Sequence, residues 1–320
     1  MFKKMANLLY SDLSTDAALA HAKKINDIER YFSYARFRQS AKYCADVLRD
    51  LGLLQIETIG HPADGTTTYM DCVMPMAWDV KQARLEITSP SDAKPKVLAD
   101  WQQNPFPVAM RSPPTKPGGD EAQVVLEEDM IAGANVRGKI VLNSTSHHPN
   151  KIKKEVAARG GIGVVSDWNE SFQDTPNGVY WNNEWTQTGS GWYGGMSEDI
   201  RQSNIWCLSL SPEVGLSLRN LLAENNEPVR LRATIDSRLY KGTIKTVTGV
   251  IPGTRKNSDE VLILCHLYEP MPSDNAAGAG ATLEVLKTLQ AAISKRQLPP
   301  PQRTIRVVFS LNRSARISNM

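Results

Sequence analysis

The sequence predicts an α/β protein in two parts, a partial parallel-sheet domain interrupted by a smaller inserted α/β domain. Three observations predict it. Strand-like and helical patterns alternate from residue 243 to 309, as they do where crossover helices join parallel strands. A strand, a helix and a glycine-entered strand follow one another between Val136 and Ser166. A proline-rich stretch without period, Pro90 to Gly119, reads as a connection between the two characters of chain. The expected division is 1–90 for the first part of the larger domain, 91–240 for the insertion and 241–320 for the rest of its core. A chain of 320 residues is long enough for two cores, at roughly 150 residues per domain.

The elements follow in order. Thr15-Asp16 starts a helix whose apolar positions Ala18, Ala22, Ile25, Ile28 and Phe32 recur at helical steps. A second helix spans about Ser40 to Leu51, and Gly52 stands where a left-handed C-cap is expected. Leu53 to Ile59 has strand propensity, as do Thr66 to Met76 and the alternating Ala83 to Thr88, which Pro75 and Pro90 interrupt. In the insertion, Val136 to Leu142 is a turn feeding a buried strand, Ile152 to Arg159 a helix and Gly160 to Ser166 the next strand. The segment 167–195, rich in Trp, Asn and Gly, reads as a loop packed by its own side chains. Ile205 to Leu210, Pro212 to Glu224 and Val229 to Ile235 read as strand, helix and strand. Thr243 to Ile251 and Val261 to Cys265 are strands, Ala276 to Ile293 a long helix and Thr304 to Phe309 a further strand.

Composition excludes several classes. Hydrophobic residues make up 41% and charged residues 22%, ordinary globular usage, and the net charge of +3 comes from intermixed signs, so no nucleic-acid partner is implied. Apolar runs such as Val261 to Cys265 are far shorter than the roughly 18 residues that span a bilayer, so no membrane is implied either. The start of the chain meets Asp12 and Asp16 where a secretory segment needs continuous apolar residues, and is read as uncleaved. Cys44, Cys72, Cys207 and Cys265 are widely spaced in apolar or periodic segments, which fits buried reduced thiols and a cytoplasmic location. Zinc-ribbon chemistry needs close cysteine pairs, and the sequence has none.

The chemistry concentrates in Cys265-His266-Leu267-Tyr268-Glu269-Pro270-Met271-Pro272-Ser273-Asp274-Asn275-Ala276-Ala277-Gly278. His266 ends a buried strand, where functional groups gather in open α/β sheets, and Asp274 precedes a helix that its carboxylate could cap. An imidazole and a carboxylate are ligands that zinc accepts in hydrolytic sites. Taken alone, the pair also fits a hydrogen-bonded structural histidine and a plain N-cap.

The larger phrase resembles that of the co-catalytic zinc aminopeptidases, metallopeptidase family twenty-eight: a buried strand ending in His266, a loop, Asp274-Asn275 with small residues and glycine, then a helix through Leu283-Glu284-Val285-Leu286. Val250-Ile251-Pro252-Gly253 and Arg303 to Phe309 resemble flanking strands of that family, as Arg36 to Gly52 resembles its amino-terminal segment. Val136 to Ser166 looks like a protease-associated domain, an insertion common in it. The resemblance implies a zinc-peptidase-like domain with a protease-associated-like insertion, removal of a terminal residue from a peptide substrate, and two zinc ions. His266 would hold one of them and Asp274 would bridge both.

The sequence departs from the family pattern in three places. Tyr268, followed by Glu269, stands where the family has an Asp orienting the histidine. Ser310-Leu311-Asn312-Arg313-Ser314 stands where the family has a general-base Glu and a ligand Glu, and Asn312 has no basic group for water. The family continues through a ligand Asp and a ligand His beyond the length of this chain, so the reading includes a truncation or frame shift near Asn312. An impaired or inactive peptidase is therefore expected, with no catalytic base assigned. The competing readings are a non-catalytic binding or regulatory module and a non-functional fragment with Phe309 at an unpaired sheet edge.

The other candidates carry less. His147-His148 side chains diverge on extended backbone, and His21 and His61 have no partners at ligand spacing. Gly189, Gly191, Gly194 and Gly195 fit no phosphate loop, and no Gly-x-Ser-x-Gly elbow is present. Oligomeric state is not legible.

Overall fold

The computed structural model describes residues 2–69, 72–170, 174–183, 185, 205–255 and 259–311. The chain forms two compact units, one from residues 1–62 and 243–320 and the other from 63–242.

It opens with α1 (Phe2–Asp12), α2 (Thr15–Glu29), α3 (Tyr34–Asp50) and β1 (Leu54–Ala63). The inserted unit contains β2 (Thr68–Tyr69), β3 (Cys72–Val73), β4 (Ala77–Ser89), β5 (Val97–Asp100), β6 (Asp120–Leu126), α4 (Glu127–Ile131) and β7 (Ile140–Leu142). It continues through α5 (Lys153–Ala158), β8 (Gly163–Ser166), β9 (Trp206–Ser209), α6 (Pro212–Glu224) and β10 (Arg230–Tyr240). The chain returns to the first unit through β11 (Gly242–Ile251), β12 (Val261–His266), α7 (Ala276–Ser294) and β13 (Ile305–Ser310).

The α/β class holds in both units, with the parallel pairing distributed unevenly. In the inserted unit the sheet order is β5-β4-β10-β6-β7-β8-β9, parallel from β6 to β9 and antiparallel among β6, β10, β4 and β5. In the first unit the order is β1-β11-β13-β12; β12 and β13 are parallel, whereas β11 runs antiparallel to β13. The boundary near residue 90 moves back to 62/63, because β4 pairs along its length with β10. The connection 90–119 also contributes a strand, β5, to the edge of that sheet. Phe309 is fully buried on β13 between β11 and β12, so the strand at the sheet edge is β12 and not β13.

The first unit's helices are set by caps and by small residues. Ser14 caps α2 by accepting from the Ala17 N–H at 3.2 Å, and its own N–H donates to Glu284 Oε1 on α7 at 3.0 Å. Gly52 takes φ +75° after α3, the left-handed conformation expected of it. The small residues at the start of α7 let it press against α2: a Cβ at Gly280 would stand 2.6 Å from the Ala18 carbonyl oxygen and 2.7 Å from the Ala22 nitrogen. Backbone cannot yield as a flexible side chain does. Gly280→Ala is therefore expected to destabilise the protein by about 1–3 kcal/mol, read from urea unfolding. Gly278, with nothing within 4 Å of a built Cβ, serves as the tolerant control.

The inserted unit's core contains Val141, Val156, Val164, Trp185 and Cys207. Trp185 donates its indole N–H to the Ile205 carbonyl at 2.8 Å, and Trp168, Tyr180 and His148 pack edge to face. The described part of segment 167–195 is thus packed as expected, while Gly189 to Gly195 lie outside the described residues. Lys153 is buried in this unit, its Nζ 4.5 Å from the Trp185 ring centroid and without a hydrogen-bond partner among the described residues. Burial pushes its amine down from 10.5 to about 7. Between these values the unfolded chain binds more protons, so this lysine makes stability rise with pH from about 7 to 10.5. Lys153→Met is expected to be more stable than the wild type at neutral pH and to lose that rise, as urea titrations across the window would show.

Candidate metal centre

β12 ends at His266, whose register partner on the parallel β13 is Ser310. Pairing extends one residue further, as the Leu267 N–H donates to the Ser310 carbonyl at 2.9 Å. The chain then turns sharply at Tyr268, which has φ +83°, a region that side chains other than glycine rarely adopt. Tyr268 is held there by its environment: it is fully buried, its ring packs 5.1 Å from Phe37, and its hydroxyl donates to the Lys245 carbonyl. Turning Tyr268 inward leaves the next residue, Glu269, beside His266.

The loop closes at Asp274-Asn275, joined by a cis peptide bond, and α7 follows. Asn275, and not Asp274, occupies the N-cap position of α7, and its side chain makes no capping bond. Its amide works elsewhere: Oδ1 accepts from the Glu269 N–H at 2.8 Å and Nδ2 donates to Glu29 Oε2 at 2.9 Å.

The two residues expected to hold metal, His266 and Asp274, come together with Glu269. One ligand atom from each of the three lies within 4.8 Å of the others, in a half-buried position. Glu269 Oε1 is 3.1 Å from His266 Nε2. At that separation a hydrogen bond would be normal, yet among the described residues neither ring nitrogen makes one of acceptable geometry, although both are shielded from solvent. Three potential ligand atoms this close together, two of them carboxylate oxygens, suit the surroundings of a cation. An imidazole nitrogen and two carboxylate oxygens are also a donor set that zinc accepts. This is the single such cluster among the described residues.

Beneath the loop lies a residue that sequence reasoning missed. Glu29, at the end of α2, is fully buried. Its Oε1 accepts from Ser40 Oγ at 2.5 Å and its Oε2 from Asn275 Nδ2 at 2.9 Å, and the nearby Tyr268 backbone N–H favours its charged form. Burial pushes this carboxyl up to about 7 against the opposing pull of those donors. The signal was present, since Glu29 falls in the apolar stripe of Ile25, Ile28 and Phe32.

The remaining candidates have local partners. His21 Nδ1 is 2.6 Å from the Tyr43 hydroxyl and His61 Nε2 is 3.0 Å from Thr246 Oγ1. His147 and His148 diverge, one to Glu127 and the other to Tyr180. Cys44, Cys207 and Cys265 are buried free thiols, and burial pushes the pKa of each up, which keeps them protonated. Asn312 lies outside the described residues. No described helix is long and apolar enough to cross a membrane.

No protein-family model and no curated protein matches this sequence. Solved structures do match its fold. The zinc aminopeptidase BSAP from Bacillus subtilis superposes with a TM-score of 0.59 at 17% identity, over 93% of this chain and 61% of its own. A peptidase M28 precursor from Shewanella amazonensis SB2B gives 0.60 at 16% identity, over 96% and 66%. An aminopeptidase from Aneurinibacillus sp. strain AM-1 gives 0.52 at 14% identity, over 94% and 63%. The chain thus spans about three fifths to two thirds of the length of these proteins, and what it shares with them at such identities is the fold.

Proposed function

We propose that this chain is a zinc-binding hydrolase of the exopeptidase kind, with His266, Glu269 and Asp274 as its metal ligands and peptides as its substrate class. The observation that carries the reading is the unbonded imidazole of His266 facing Glu269 at 3.1 Å in a cluster with Asp274. The shared fold of the zinc aminopeptidase BSAP supports it. The expectation of two ions becomes a proposal for one, because the described residues offer one cluster.

Zinc in such a site supplies Lewis-acid polarisation of a carbonyl and a water acidified to near neutral pH. The chain's own residues do the rest. His266 presents a neutral nitrogen, while Glu269 and Asp274 bring two negative charges that favour a divalent cation over a monovalent one. A proton acceptor for the attacking water is the weak point. Ser310 stands opposite His266, but its hydroxyl is 3.1 Å from Thr246 Oγ1 and is not a base at neutral pH. Hydrolysis is therefore expected to be slow, as the Ser310-Leu311-Asn312 sequence implies.

The test is zinc content per chain in protein purified without added metal, followed by assay of aminoacyl anilides and short peptides with and without zinc. About one zinc per chain with chelator-sensitive release of a terminal residue supports the reading. A folded protein that takes up no zinc overturns it.

A further inference from the structure

We propose that Glu29 is a positioning residue for the metal-ligand loop, acting through Tyr268 and Asn275; this rests on the reading of His266, Glu269 and Asp274 as ligands. The carboxylate of Glu29 touches none of the three ligands through any hydrogen bond described above. It meets the loop at both ends instead. The Tyr268 backbone N–H, one residue before Glu269, lies near it and favours its charged form, and the side chain of Asn275, one residue after Asp274, donates to it at 2.9 Å. Asn275 then returns its Oδ1 to the Glu269 N–H at 2.8 Å. A second donor, Ser40 on α3, holds the carboxylate itself in place at 2.5 Å.

The physical argument turns on cost. A fully buried carboxylate contributes little to stability compared with an apolar residue of the same size, so its presence in the stripe of Ile25, Ile28 and Phe32 needs another reason. The loop supplies it. Tyr268 holds a left-handed backbone that a non-glycine residue does not keep unaided, and the Asn275 amide spans two partners, Glu29 and the Glu269 N–H. With Glu29 in place, the segment 268–275 is tied to a held acceptor at its last residue, and through Asn275 the same tie reaches the Glu269 N–H. The side chains of Glu269 and Asp274 are then fixed relative to His266, whose own position is set by β12. Groups that orient ligands in this way commonly affect metal affinity by about 10–100-fold.

The experiment compares the wild-type chain with Glu29→Gln and Asn275→Ala. It measures zinc affinity by chelator competition, the visible absorption of the cobalt-substituted protein, and melting of the metal-free protein. Glu29→Gln keeps the shape but turns half of the acceptor into a donor facing Asn275 or Ser40. Asn275→Ala cuts the link to Glu269 while leaving Glu29 its hydrogen bond from Ser40. Both are expected to weaken zinc binding by about 10–100-fold and to alter the cobalt spectrum, by more than any change in metal-free melting explains. Variants with lowered melting but wild-type zinc affinity and cobalt spectrum would show Glu29 to be structural and overturn the proposal. If Glu29→Gln does not fold, Asn275→Ala alone decides, by the same two readouts. A wild-type chain that binds neither zinc nor cobalt would instead overturn the ligand reading on which the proposal stands.

Discussion

Purified His266→Ala is expected to carry less than about a tenth of the zinc held by the wild-type chain. His266 is the single nitrogen ligand of the cluster and the one fixed by a strand, since β12 sets its backbone and the Leu267 to Ser310 hydrogen bond continues the pairing beyond it. Without it, two carboxylates on a loop remain. Such a pair is not selective for zinc and repels itself when no cation is present. The substitution is also mild for the fold, because both ring nitrogens lack hydrogen bonds and none is left unpaired by their removal. Zinc content by atomic spectrometry, with melting as a control, separates the outcomes. An unchanged zinc content would move the metal elsewhere and leave the three residues as an ordinary polar cluster.

Phe309→Ala is expected to cost about 3–5 kcal/mol, the range for emptying a buried aromatic site. Phe309 is fully buried on β13, between Val247 on β11 and Cys265 on β12, and neighbouring strands cannot close over so large a void without breaking their ladders. The two units can be followed separately. All seven tryptophans fall within residues 63–242, so their fluorescence reads the inserted unit, while far-ultraviolet dichroism reads both. A denaturant transition that moves in dichroism by the stated amount confirms the central place of β13. A shift worth less than about 1 kcal/mol would contradict it.

The site was legible in the sequence where its geometry is local. A buried strand, His266, a loop, Asp274 and a helix of small residues follow each other within one crossover, so the pattern of residue types contains most of the arrangement. Local reasoning failed where a side chain answers to distant partners. Asp274 looked like a helix cap, but the N-cap place belongs to Asn275, whose amide is drawn to Glu29, 246 residues away in sequence. Glu269 stands in the sequence only as the residue after Tyr268, whereas the left-handed turn at Tyr268 brings it into one cluster with His266 and Asp274. The small residues before Leu283 resembled a motif, and at Gly280 the reason is contact with Ala18 and Ala22 on α2. Strand order was illegible for the same cause: nothing within β4 announces that it pairs with β10, so the unit boundary near residue 90 was misplaced.

The inserted unit is one unbroken stretch of chain, while the unit that carries His266, Glu269 and Asp274 is made from two stretches on either side of it. During synthesis, α2 and α3 emerge early with Ile25, Phe32 and Phe37 in search of partners that are translated only after residue 242. Closing so long an interval is entropically slow unless its span is first shortened, and a folded insertion shortens it by bringing residues 63 and 242 under one fold. The loop 268–275 closes last in this order, because Asn275 and its partner Glu29 lie in the two stretches that flank the insertion.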